Sequence, residues 1–199
     1  LVESDQSFTL GFEYEKINKK NNATFLNLGL ATVFRDHKNF DLPEQGSLGQ
    51  KTSDVVGIFN LNPSKYFDFN YEFSIDNNLD QINYNNINTN ISINNLITSF
   101  EFLEENKHIG ENSYLINKTT YNFNENKLIR FETSKDLKKD LTEYYKLIYE
   151  YKNDCLIASI EYDKEYYSDG DLKPKENIFL WFKIIPFGQL ANLPVSKSN

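Results

Sequence analysis

The chain has no methionine, one cysteine, two histidines, two arginines and one tryptophan among its 199 residues. Each scarcity removes a class of function. A single cysteine, Cys155, cannot close a disulfide within the chain, and on composition alone such a thiol is a small buried hydrophobe. His37 and His108 fall in separate expected loops, without Cys or carboxylates at ligand spacing, so no metal is expected. No apolar run approaches the ~20 residues a membrane helix needs, and no signal peptide is visible. There is no phosphate-binding glycine loop and no nucleophile elbow. The nearest glycine cluster, Gln45-Gly46-Ser47-Leu48-Gly49, reads as loop flexibility. No catalytic residue and no cofactor are therefore expected, and the chain is not read as an enzyme. With no methionine and a start at Leu1, it is expected to be a piece of a longer product.

Cations are also in deficit. Lys+Arg total 21 against 29 Asp+Glu, a net charge of −8, which argues against nucleic acid as a partner. What is abundant is aromatic: 13 Tyr and 16 Phe bring the aromatic share to 15%. That is too apolar in kind for a disordered acidic chain. The 27 asparagines fit an AT-rich coding bias, and with so many the glycosylation patterns at Asn22, Asn90 and Asn117 are expected by chance.

The aromatics follow a period of two. In YFDFNYEFSID (66–76), Phe67, Phe69, Tyr71, Phe73 and Ile75 point one way, and Asp68, Asn70, Glu72, Ser74 and Asp76 the other. A helix would smear these residues around its axis. The same alternation runs through 7–17, 24–34, 85–94, 96–104, 113–123, 127–136, 142–152, 155–167 and 177–187, with a shorter run at 53–61. About eleven strands follow, most near ten residues, with no helix between them. The fold class is all-β, an antiparallel up-and-down meander.

The links sharpen this. Short turns at 18–22, 62–65, 94–95, 124–127 and 152–154 alternate with longer loops at 35–52, 77–83, 105–112, 137–141 and 168–176. Strands of ~9–11 residues with one apolar face, joined by short turns alternating with longer loops, describe part of an outer-membrane β-barrel. A soluble sandwich also alternates, but its strands average about five or six residues. Aromatics at strand ends, including Phe8, Tyr14, Phe34, Tyr145, Tyr151, Tyr162 and Tyr166, suit a membrane–water boundary. Residues 1–187 are assigned to the C-terminal portion of such a barrel and 188–199 to a disordered tail. Short turns then face the periplasm, with Cys155 and the C-terminus on that side. Eleven is odd where bacterial single-chain barrels are even, so at least one upstream strand is expected. The carboxylates Asp68, Glu72 and Asp76 read as a solvated lumen wall, spaced every second residue rather than paired for catalysis.

Three stretches carry a resemblance: SDVVGIFNLNPSKYFDFNYEFSIDNN (53–78), TEYYKLIYEYKNDCLIASIEYDKEYY (142–167) and IFLWFKIIPFG (178–188). They resemble the C-terminal barrel of the lipopolysaccharide-assembly family LptD, the organic solvent tolerance proteins. The likeness runs from about residue 7 to 188 and is least distinctive over 80–135. It implies transport and insertion of lipopolysaccharide into the outer leaflet of the bacterial outer membrane. Implied partners are lipopolysaccharide, outer-membrane lipid, an LptE-like lipoprotein plug, and a periplasmic LptA-like bridge acting through an N-terminal domain missing here. The resemblance makes the last strand one lip of a lateral gate: Asn177, Ile178, Phe179, Leu180, Trp181, Phe182, Lys183, Ile184, Ile185, Pro186 and Phe187. Pro186 lacks a ladder donor, though a proline also simply ends a strand. It further implies that Cys155 is disulfide-bonded to the missing domain. Relatives often carry two adjacent cysteines at this turn, whereas here Asp154 precedes Cys155, so at most one bridge forms. A porin-like diffusion channel without a lateral gate is the alternative.

Overall fold

The computed structural model describes residues 6–19, 23–43, 46–107, 109–166 and 174–185, and the backbone of 188–195. Twelve strands are hydrogen-bonded to one another in chain order as a single antiparallel meander. They are β1 (Ser7–Asn18), β2 (Ala23–Arg35), β3 (Val55–Ser64), β4 (Phe67–Ile75), β5 (Ile82–Ile93), β6 (Leu96–Glu105), β7 (Ser113–Asn124), β8 (Lys127–Asp136), β9 (Leu141–Lys152), β10 (Leu156–Glu165), β11 (Lys175–Ile184) and β12 (Gly188–Val195). Among the described residues there is no helix. The all-β meander is as the alternation predicts, and its first eleven strands lie within a few residues of the expected ones.

The twelfth is a difference. Gly188–Val195, expected as disordered tail, forms β12 and pairs antiparallel with β11 from Ile178↔Val195 to Ile184↔Gly188. Two consequences follow. The odd count that argued for a further upstream strand becomes twelve, so parity no longer argues for one. And β11, expected as the final strand, has β10 on one side and β12 on the other, so it is not an edge. Pro186, Phe187 and His108 lie outside the described residues, as do 196–199.

Contacts divide the chain into two compact units, Leu1–Thr89 with Glu101–Ser113, and Asn90–Phe100 with Tyr114–Asn199. In the first, register fixes which side chains share a face. The row Phe12–Leu30–Gly57–Phe73 lies on one side, with Tyr14–Leu28–Phe59–Tyr71 next to it. The opposite side carries Glu15–Asn27–Asn60–Asn70. In the second unit, Thr119–Phe131–Leu147–Tyr162–Ile178 and Tyr121–Ile129–Tyr149–Ile160–Leu180 lie on one side, and Lys118–Glu132–Lys146–Asp163–Asn177 on the other. Along these rows the period-two sequence becomes one aromatic-aliphatic side and one polar side.

Asparagine does structural work at the turns. Asn153 Oδ1 accepts from the backbone N–H of Cys155 (3.0 Å) and Leu156 (2.8 Å), and Asn124 Oδ1 accepts from that of Asn126 (2.9 Å). Asn94, at φ 50°, occupies the left-handed region that asparagine tolerates better than most residues. Pro63 falls where the β3–β4 register shifts between Leu61 and Ser64, a place that needs no ladder donor.

Gly57 has a specific reason. A Cβ there would overlap the ring of Phe73, its partner across β3–β4. Gly57→Ala is expected to cost about 1–3 kcal/mol through overpacking. Phe73→Leu introduced with it should recover part of that loss. Equilibrium urea unfolding of the two variants measures both effects.

Candidate functional site

No described apolar side chain is buried; the buried residues are Gly57 and the polar Asn39, Ser47, Ser53, Asp54, Ser74, Asn83 and Ser134. This inverts the arrangement of a water-soluble domain, whose two inner faces bury apolar residues between layers. The aromatic-aliphatic face is correspondingly open: Phe8 is 62% exposed, Phe12 57% and Ile160 51%. Its rings pack laterally on one another, with Tyr71 stacked on Phe73 at 5.2 Å and Phe131 on Tyr145 at 6.0 Å between centroids. Tyr166 meets Tyr145 edge-on at 5.7 Å.

On the polar face of the first unit, the expected acidic set divides. Asp68 borders a polar hollow of about 550 Å³ with Glu15, Thr24, Asn27 and Asn60. Glu72 accepts from Asn86 Nδ2 at 3.5 Å. Asp76 lies outside β4, in the turn to β5, where its carboxylate accepts from the Asn78 N–H (2.9 Å) and pairs with Lys107 (3.5 Å). It fastens a turn rather than extending a wall. That backbone hydrogen bond, helped by the Lys107 charge, holds its carboxyl below the usual aspartate range. In the second unit the side-chain hydrogen bond and charge of Lys135, at 2.6 Å, do the same for Asp140.

The element that sequence reasoning missed is a buried polar knot. The long link between β2 and β3 returns to the sheet at Ser53 and Asp54. Ser53 Oγ accepts from the Val33 N–H (2.8 Å) and donates to the Asp54 carbonyl (2.9 Å). Asp54 Oδ2 accepts from Ser74 Oγ (3.0 Å) and Asn83 Nδ2 (2.8 Å), which ties the link to β4 and β5. The Asp54 N–H in turn donates to Ser47 Oγ at 2.7 Å. The sequence reading starts a strand at Ser53, whereas Ser53 and Asp54 lie in the link before β3, and nothing in the alternation marks them as buried.

Beside this knot the polar face is not polar. Cross-strand rows Gly11–Ala31–Val56–Ser74 and Glu13–Gly29–Ile58–Glu72 replace long polar groups by small or aliphatic ones. With Leu48 of the link and Ile109 they line a cavity of about 910 Å³.

Cys155 is exposed, with a free thiol, in the turn between β9 and β10. Its carbonyl accepts from the Ile185 N–H at 3.0 Å. The buried-hydrophobe expectation for this residue is therefore not met. In β11, Ile178, Leu180 and Phe182 share the aromatic-aliphatic face, while Phe179 and Trp181 lie in rows with Glu161 and Ser159 on the polar one. No group of His, Cys, Asp and Glu among the described residues could hold a metal ion.

No protein-family model matches the chain, and no curated protein matches it.

Two tests follow from this geometry. Asp54→Ala leaves Asn83 and Ser74 without their buried acceptor and should cost about 3 kcal/mol. Limited proteolysis should then cut within residues 36–54 first. Separately, the lowered carboxyl groups of Asp76 and Asp140 contribute stability that is fully present above the ordinary aspartate value of about 4. It is lost as pH falls through their lower folded values. The protection factor of the Asn78 amide, its exchange relative to the intrinsic rate at the same pH, should therefore fall below about pH 4 and stay level between pH 5 and 8.

Proposed function

We propose that this chain is a wall segment of a bacterial outer-membrane β-barrel of the LptD type, and that it works in moving lipopolysaccharide into the outer leaflet. The observation that carries the membrane part is the exposed aromatic-aliphatic face combined with the lack of any buried apolar side chain among the described residues. Such a face is stable against hydrocarbon and costly against water. The links support it as well. Turns 19–22, 65–66, 94–95, 125–126, 153–155 and 185–187 alternate with the longer 36–54, 76–81, 106–112, 137–140 and 166–174. No described helix is long and apolar enough to cross a membrane, which leaves crossing by strands untouched.

The lipopolysaccharide part rests on the resemblance of 53–78, 142–167 and 178–188. In that reading the short turns lie in the periplasm, where Cys155 is free to meet a cysteine of an N-terminal domain. Function is then transport without bond-making chemistry, with an LptE-like plug against the polar face and an LptA-like bridge as donor. A porin-like channel uses the same two faces but needs no bond at Cys155.

Lysine placed at Leu147, in the middle of the aromatic-aliphatic face, should cost about 2–4 kcal/mol of folding free energy in phospholipid vesicles. Ser159→Lys, on the polar face, should cost little. Equal effects, or full solubility and folding without detergent, would remove the membrane reading. Mass spectrometry of the mature protein without reductant tests the family assignment: a disulfide at Cys155 is expected, and a free thiol there favours the channel.

A further inference from the structure

The cavity beside the Asp54 knot interrupts an otherwise hydrophilic face with apolar wall, and its chemistry is one-sided. Small residues create the depression: Gly11 faces Ala31 across β1–β2, with Ala31 Cβ 3.8 Å from where a Gly11 Cβ would stand. Val56, Ile58 and Leu48 supply hydrocarbon. At about 910 Å³ the volume is in the range of small-molecule sites, about 300–1,000 Å³, which are mostly apolar with a few directed polar groups. Here the charged groups are Glu13, Glu72 and Asp54, and no lysine, arginine or histidine is among the described residues lining it. Glu13 and Glu72 stand at the two ends of one cross-strand row, and Tyr84 borders the same space. Aromatic face plus carboxylate against an apolar floor is the chemistry that recognises quaternary ammonium groups. A metal ion does not fit, because no described carboxylates converge as a ligand set.

We propose that this cavity binds a small amphiphile with a hydrocarbon body and a cationic head, of the alkylammonium class. The hydrocarbon lies over Ala31, Val56 and Ile58, and the cation sits between Glu72 and Tyr84. Carboxylates in a partly desolvated site repel anionic amphiphiles, lipid phosphates included. The site is thus separate from lipopolysaccharide handling and does not depend on that reading.

Calorimetric titration of the full chain in maltoside detergent with hexyltrimethylammonium tests it, with hexanesulfonate and hexanol as charge controls. Saturable single-site binding of the ammonium is expected, with both controls much weaker. Glu72→Gln and Tyr84→Leu should each weaken it about fivefold. Ala31→Leu, which fills the floor, should abolish it. If Ala31→Leu does not fold, the other two variants decide. Equal binding of the sulfonate or the alcohol, absence of saturable ammonium binding, or full affinity in both Glu72→Gln and Tyr84→Leu would each overturn the proposal.

Discussion

Everything in this molecule depends on the ladder of main-chain hydrogen bonds between consecutive strands. Where a globular domain gains cohesion by burying apolar side chains between layers, no described apolar side chain here is buried. Rings on the open face pack against lateral neighbours, as Tyr71 does Phe73 and Phe131 does Tyr145. Backbone pairing then carries the order, and the surrounding solvent decides which face is stable. A hydrocarbon solvent strengthens such a ladder, because an unpaired amide has no water to turn to.

Strand positions were legible because the period of two recurs from strand to strand: a slip of one residue would move Phe67, Phe69, Tyr71 and Phe73 from one face of the sheet to the other. Most turn positions were legible because a short link favours Asn, Asp or Pro, as at 94–95, 125–126 and 153–155; the Lys65-Tyr66 link has none of these, and Asn62-Pro63-Ser64 belongs to β3. The polar knot at Ser53, Asp54, Ser74 and Asn83 was not. Its members come from the β2–β3 link and from two different strands, and only the three-dimensional register brings them together. The apolar depression at Ala31 and Ile58 was hidden for the opposite reason. Alanine, valine and isoleucine inside a strand read as ordinary strand residues, whichever face they take.

Three expectations changed in instructive ways. Asp76 obeys the alternation of the residues before it, yet the strand has already ended, and its carboxylate serves the turn amide of Asn78. Cys155 sits in the turn that Asn153 closes, and it is exposed rather than packed. And Gly188–Val195, expected as tail from its polarity and Pro194, pairs with β11 as β12. The asparagine excess first looked compositional; Asn124 and Asn153 give part of it a physical role in closing hairpins.

The strictly sequential strand order has a consequence of its own. Each strand finds its partners next to it in the chain, so no pairing waits on a distant segment, and the longest link to close is 36–54. Such a meander grows by addition: a hairpin inserted or deleted leaves the pairings on either side intact in kind. The architecture is therefore extensible in steps of two strands, and the number of strands in its sheet is set by how many hairpins the gene encodes rather than by any keystone contact.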